Sequence, residues 1–218
     1  MKRRLLDLGF RDYGEVLKLQ RELVEKRRAS EIHDTLILVE HPDVITLGRR
    51  GTMENVLSDK LPIYWIERGG DATYHGPGQL VGYPIVGLQE AKIDVVSFVR
   101  KIEDILMKTV ADFGINSSRV EKKPGIWVEQ KKLASIGIAV QHWVTFHGFA
   151  LNVNTDLKKF YTIKPCGMEP SMMTSMQRIL GKEVSLETVK NSIAKNFAEV
   201  FQIEISEGFF VAAQSLTG

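Results

Sequence analysis

Residues 125–153 read as three strands in direct succession, 125–129, 133–140 and 144–153, with Gln130-Lys131 and Gln141-His142 at the turns. Short apolar runs at 35–39, at 44–47 after the His41-Pro42 turn signal, at 63–66 and at 81–86 add four more. Pro84 cannot donate to a ladder, so 81–86 is expected at a sheet edge or a bulge. Helical periods are scattered among these strands. Residues 13–29 carry a moderate amphipathic pattern. Over 95–113, Asp94 is placed to cap a helix. Val95, Phe98, Val99, Ile102, Ile105, Leu106, Val110 and Phe113 share its apolar face, and Gly114 follows as a stop. A last helix starts after Ser185, with Leu186, Val189, Ile193, Phe197, Val200 and Phe201 facing inward. Strands in runs, with helices interspersed rather than alternating, predict an α+β fold: a mixed, largely antiparallel sheet flanked by helices.

No linker, repeat or low-complexity tract interrupts the 218 residues, so one domain over 1–218 is expected. The 29 Lys and Arg against 27 Asp and Glu leave a net charge of +2, which gives no support to nucleic-acid binding or to a polybasic membrane anchor. Cys166 is the single cysteine, which excludes an intrachain disulfide and a cysteine-dominated zinc or iron–sulfur site. A lone cysteine fits a reducing cytosol. Asp7, Arg11 and Asp12 break any signal-peptide core, and no run of about 18 apolar residues offers a membrane span. A cytoplasmic location is expected.

Four glycines and a proline fall within Arg68-Gly69-Gly70-Asp71-Ala72-Thr73-Tyr74-His75-Gly76-Pro77-Gly78. Such a stretch either makes a tight strand connection or brings free N–H groups against a carbonyl or anion. It is no Walker loop, since Gly-Lys-Ser/Thr is missing, and it opens onto a strand rather than a helix, so nucleotide binding is unsupported. Cys166 lies between Pro165 and Gly167, the setting of a turn rather than of a packed strand. It reads either as an inert small hydrophobe or as an accessible thiol activated by a partner, with His33, His41, His75, His142, His147 and nearby lysines as candidates. Counting by twos from Ile138 and Ile136 through Ala134 sends Lys132 inward and Lys131 outward. An inward lysine needs a partner or a task, and desolvation would bring its pKa toward a range useful for acid–base work. Gly148 and Ala150 leave space on one strand face, either for close sheet packing or for an acyl chain.

Taken in order, Arg68 to Gln79 with Tyr83-Pro84, Pro124-Gly125-Ile126-Trp127-Val128, Lys132-Leu133-Ala134-Ser135-Ile136-Gly137, His147 to Asn154 and Pro165-Cys166-Gly167 closely resemble the lipoyl(octanoyl) transferases over about residues 8–205. One departure is Lys164, where the family carries asparagine or an apolar residue. The resemblance implies the catalytic-domain fold of biotin and lipoate protein ligases. It also implies transfer of octanoyl from octanoyl-acyl carrier protein to a lysine of lipoyl domains, as the first step of lipoate biosynthesis. Those domains belong to 2-oxoacid dehydrogenase E2 subunits and the glycine cleavage H protein. In that frame Cys166 carries the acyl group as a thioester and Lys132 is its dyad partner. Arg68, Gly69, Gly70, Asp71, Ala72, Thr73, Tyr74 and His75 line the acyl pocket with Ser135, Ile136, Gly137, Gly148, Phe149 and Ala150. An activated thioester donor needs no ATP, and no cofactor or metal is expected; a monomer is. Oxyanion donors are sought in the glycine-rich stretch or just after Cys166. The basic groups Lys2, Arg3, Arg4, Arg49, Arg50, Lys122, Lys123 and Lys131 are available to dock an acidic donor protein.

Three alternatives remain open from sequence. An ATP-dependent lipoate or biotin ligase would use free acid and ATP. A non-catalytic acyl or lipoyl-domain binding module would transfer nothing. A Cys/His hydrolase, with His75 or His147 as base, would release free octanoate.

Overall fold

The structure, a computed structural model, describes residues 4–58, 60–202 and 210–212, without the side chains of Cys166 and of 210–212. In chain order its elements are β1 (Arg4–Phe10), α1 (Tyr13–Arg28), β2 (Thr35–Glu40), β3 (Val44–Leu47), β4 (Ile63–Trp65), β5 (Ala72–His75), β6 (Gln79–Ile85), α2 (Leu88–Ala91) and α3 (Val95–Ala111). There follow β7 (Ser118–Val120), β8 (Lys123–Val128), β9 (Lys131–Gln141), β10 (Val144–Asn152), α4 (Met176–Leu180), α5 (Leu186–Val200) and β11 (Phe210–Ala212). The successive strands β8, β9 and β10 fold back on one another as antiparallel neighbours. They extend into a sheet ordered β11-β1-β2-β6-β10-β9-β8-β7, in which β1 alone runs parallel to its neighbours. A second sheet, β4-β3-β5, stands apart. The fold is the expected mixed, mainly antiparallel α+β arrangement.

Period-two alternation divides the large sheet between two cores. Leu36 and Leu38 of β2 face α3 and α5, where they meet Phe98, Ile102, Ile193 and Phe197. Ile37 and Val39 face α1 and share a core with Tyr13, Val16 and Val24. A third core, beneath the small sheet, joins Ile45, Ala72 and Tyr74 to Phe160, Ile163 and Met173. Side-chain caps fix the helix starts. Asp12 accepts from the N–H groups of Gly14 and Glu15, Asp94 from Ser97 and Ser185 from Thr188.

Several sequence expectations change. Strand β6 is central, between β2 and β10, with Pro84 opposite Leu36. It is tolerated because β10 pairs with β6 only through Gln79–Gly82, so the ladder on that side has ended before the proline. Thr145 takes over there: its hydroxyl donates to the Pro84 carbonyl at 2.6 Å and accepts from the Val86 N–H at 3.0 Å. The glycine-rich stretch is not one loop, since β5 forms inside it, and β1 and β7 were not expected at all. On α3, Phe98, Ile102, Ile105, Leu106 and Val110 are buried, but Val95 is 42% exposed and Val99 only partly covered. Among the described residues no helix is long and apolar enough to cross a membrane.

Candidate active site

Strand β8 pairs with β9 only as far as Ser135, so the edge of β9 beyond it is free. The segment before β5 closes on that edge, with the Gly69 N–H donating to the Ile138 carbonyl at 3.0 Å. Gly137 permits the approach: a Cβ there would lie 3.0 Å from the Gly69 carbonyl oxygen and 2.9 Å from Arg68 Cδ. Arg68 is itself buried and ties the segment to β3, its Nη2 donating to the Thr46 carbonyl at 2.7 Å and to the Thr46 hydroxyl at 2.9 Å.

Two connected chambers result. The inner one, about 50 Å³, is floored by Ser135, Gly137, Gly148 and Ala150 and walled by Tyr13, Arg68, Thr73 and His75. The outer one, about 540 Å³, is bounded by Arg49, Arg50, Lys122, Lys123 and Met168. That volume falls in the usual range for small-molecule sites. Gly69, Gly70, Lys132, Ile136 and Gly137 border both chambers, so Lys132 stands at the junction.

Lys132 is 4% exposed, but the face differs from the one obtained by counting. Ala134 pairs with Ile126 and Lys132 with Trp127, the very next residue of β8, leaving Leu133 as a bulge. The bulge breaks the alternation, so Lys132 lies on the face of Gly125, Trp127 and Ser135, opposite to Ala134. Its Nζ is 5.4 Å from the centroid of the Trp127 ring, a cation–π distance. Gly125, at φ 127°, leaves room beside it, since a Cβ there would lie 3.0 Å from Lys132 Cε and overlap the Ala134 carbonyl.

The chain that carries Cys166 returns to this lysine. The backbone turns through Pro165–Gly167, Met168 reaches the outer chamber, Met173 bridges to Lys132, and the Thr174 N–H donates to the Lys132 carbonyl at 3.0 Å. Asn55 anchors the approach to the turn: its carbonyl accepts from the Lys164 N–H at 2.8 Å, and its Nδ2 donates to Asp71 at 2.6 Å. The Gly167 and Met168 N–H groups donate to the carbonyls of Lys164 and Pro165, so they are engaged within the turn rather than presented as oxyanion donors. The Cys166 side chain lies outside the described residues, as do Lys2 and Arg3.

The expected pocket segment is divided by strand alternation. Thr73 and His75 face the inner chamber, whereas Ala72 and Tyr74 face the third core beside Ile163. Asp71 sits on neither face and holds Asn55. Phe149 lines the inner chamber while its ring fills the space above Gly82. Gly148 serves close packing as well as space, because a Cβ there would overlap the Gly82 carbonyl.

Three buried histidines, His41, His75 and His147, are held neutral. A relay orients His75: Asn152 Nδ2 donates to the Thr174 carbonyl, Gln79 Nε2 to Asn152 Oδ1, and His75 Nδ1 to Gln79 Oε1 at 2.7 Å. Burial, helped by the neighbouring His41, lowers the His75 pKa to about 3. His41 is lowered to about 4 by burial; its Nδ1 donates to the Arg11 carbonyl while Nε2 accepts from Tyr83. His147 is likewise lowered to about 4 by burial, against the opposing pull of Glu67 at 3.4 Å. Tyr13, Thr46, Asn55 and Gln79 were not among the expected site residues. For Tyr13, Thr46 and Gln79 only a polar or aromatic type among apolar helix or strand positions marked them, and Asn55, in a short turn, carried no such signal. Among the described residues no three His, Cys, Asp or Glu side chains gather where they could hold a metal ion.

Residues 12–198 match the family model of the lipoyl protein ligase A/B catalytic domain. The octanoyltransferase of Syntrophotalea carbinolica is 47% identical over 196 residues, 90% of this chain and 93% of that protein. The octanoyltransferase of Solibacter usitatus is 44% identical over 216 residues, 96% of this chain and 97% of that protein. Among solved structures, the bi-partite lipoate protein ligase of Thermoplasma acidophilum superposes with a TM-score of 0.73 at 16% identity, covering 98% of this chain and 89% of that one. The biotin protein ligase of Aquifex aeolicus gives 0.55 at 14%, covering 92% and 69%. At such identities these two likenesses concern the fold alone.

Proposed function

Because the chain belongs to the lipoyl protein ligase A/B catalytic-domain family, with relatives at 44–47% identity named octanoyltransferases, we propose that it is an acyltransferase moving octanoyl from acyl carrier protein to a lipoyl-domain lysine. The observation that carries this reading is the buried Lys132 at the junction of two chambers, beside the returning chain that bears Cys166.

In the first half-reaction Lys132 takes the proton of the Cys166 thiol. The thiolate attacks the donor thioester carbonyl, a new thioester forms on Cys166, and the carrier thiol leaves with the proton returned by Lys132. In the second, Lys132 takes a proton from the incoming amine, which is otherwise almost wholly protonated at neutral pH. The amine attacks the Cys166 thioester, the C–S bond breaks as the amide forms, the proton lost from the amide nitrogen passes to the Cys166 sulfur, and the amide leaves with the thiol restored on the protein. His75 and His147, with pKa values lowered by burial to about 3 and about 4, are too weakly basic to take the thiol proton and are polar walls in this scheme. Arg49, Arg50, Lys122 and Lys123 around the outer chamber favour an acidic donor protein.

The test is the intact mass of the protein after exposure to octanoyl-carrier protein without acceptor. One octanoyl group should be added, removable by hydroxylamine, and Cys166→Ala should remain unmodified and inactive. Product formed from free octanoate and ATP, or octanoyl transfer by Cys166→Ala at the wild-type rate, would overturn the reading.

A further inference from the structure

The outer chamber continues beyond Lys132. Val95, Val99, Lys122, Lys123 and Pro124 border both it and an adjoining depression of about 200 Å³, which runs between the first turn of α3 and the β7–β8 hairpin. Val96, 70% exposed, and Val95, 42% exposed, give this groove an apolar wall that the core does not cover. Its charge is mainly positive, with Lys122 Nζ 3.8 Å from the exposed Glu121 carboxylate. The described residues around the outer chamber include Arg49, Arg50, Lys122 and Lys123 but no carboxylate. Glu103, in the continuation, is already paired with Arg100 and Arg119, both at 2.8 Å. Lys123 Nζ and Lys132 Nζ lie 5.6 Å and 5.4 Å from the same Trp127 ring centroid, which sets them at most about 11 Å apart. A ligand that starts at Lys132 and fills the groove is therefore elongated, apolar along one side and anionic at its far end.

We propose that this groove seats the phosphopantetheine arm of a carrier-protein thioester, with the thioester at Lys132, the pantetheine chain along Val95 and Val96, and the phosphodiester at Lys122 and Lys123. The proposal rests on the acyl-transfer reading above and adds the path by which the donor enters. About a dozen bonds separate phosphorus from sulfur in this arm, roughly 15 Å when extended, enough to pass from Lys132 beyond Lys123. An acceptor lysine brings no anion and needs only a short slot, so charge complementarity favours the donor arm.

Calorimetry of the whole protein with free phosphopantetheine, pantetheine and coenzyme A tests this without turnover. Phosphopantetheine should bind about tenfold tighter than pantetheine, as expected for one charge-assisted phosphate contact. The double variant Lys122→Glu/Lys123→Glu should lose that preference. Val96→Asp, on an exposed helix position, should weaken phosphopantetheine and keep the wild-type melting temperature. Equal affinity for phosphopantetheine and pantetheine, or a preference that survives the double variant, would overturn the proposal. Coenzyme A binding about tenfold tighter than phosphopantetheine would overturn the carrier-protein source, assigning the groove to nucleotide-borne donors. A wild type that prefers phosphopantetheine through Lys122 and Lys123 yet transfers no octanoyl group supports the groove and removes the reaction.

Discussion

A buried lysine is costly unless its surroundings compensate, and Lys132 has an indole 5.4 Å away and a chamber on either side. Arginine at this position keeps the charge but does not yield a proton near neutral pH, so Lys132→Arg should lower kcat by about 100-fold or more. Lys131, half-exposed and donating to the Ser171 carbonyl at 2.8 Å, should be nearly dispensable to kcat when replaced by alanine. Equal losses at the two positions in steady-state assays would remove Lys132 from the chemistry. Ala150 is a small side chain lining the inner chamber. Each two-carbon shortening of an acyl chain should weaken binding about tenfold, and Ala150→Leu should shift preference from octanoyl toward hexanoyl or butanoyl donors. Measuring kcat/KM across donor lengths, alongside the melting temperature, separates this from simple overpacking, which would depress all lengths alike. The Pro-Gly frame marked Cys166 and counting by twos marked Lys132, whereas residue type left His75 one of five candidate histidines. The face of Lys132 was not readable, because the bulge at Leu133 arises from pairing with β8 and leaves no trace in the alternation of β9 itself.

At the scale of elements, the site depends on how closely one backbone segment approaches a free strand edge. Gly137→Ala would place a methyl group 3.0 Å from the Gly69 carbonyl oxygen and 2.9 Å from Arg68 Cδ. The segment must then lift, at a cost of about 1–3 kcal/mol by analogy with overpacked cores. The expected result is a folded protein with a lowered denaturation midpoint and a raised KM for the donor. Unchanged KM and stability would show that the segment is not held by this contact. Helices α1, α3 and α5 were legible because their caps and apolar periods are local. Strand β5 was hidden because glycines surround it and its partner β3 lies more than twenty residues earlier. Pro84 misled for a related reason: its tolerance in a central strand is supplied by Thr145, from β10.

For the whole molecule, three buried histidines link stability to pH. His75 stays neutral in the fold down to about pH 3, and His41 and His147 down to about pH 4, while an unfolded histidine titrates near ~6.5. Between those limits the unfolded chain binds protons that the native one does not, so this stability is complete above about pH 6.5 and is lost as pH falls toward 4. Urea midpoints should be level from neutral pH upward and fall steadily below about pH 6.5; a flat profile down to pH ~4.5 would contradict the buried neutral state. The net charge of +2 conceals the cluster of Arg49, Arg50, Lys122 and Lys123, so KM for a carrier-bound donor should rise with ionic strength while kcat changes little. A KM insensitive to salt would remove the charge from docking. The sequence by itself determined the α+β class and the three long helices α1, α3 and α5, because caps and hydrophobic periods are local properties of the chain; its Pro-Cys-Gly frame marked Cys166 as a candidate. Only the tertiary structure decided that Lys132 faces Trp127, that β5 sends Thr73 and His75 to the chamber and Ala72 and Tyr74 beneath it, and that four scattered cations surround one opening. Each of these follows from strand pairing and loop closure between residues far apart in sequence, where the partner rather than the segment sets the outcome.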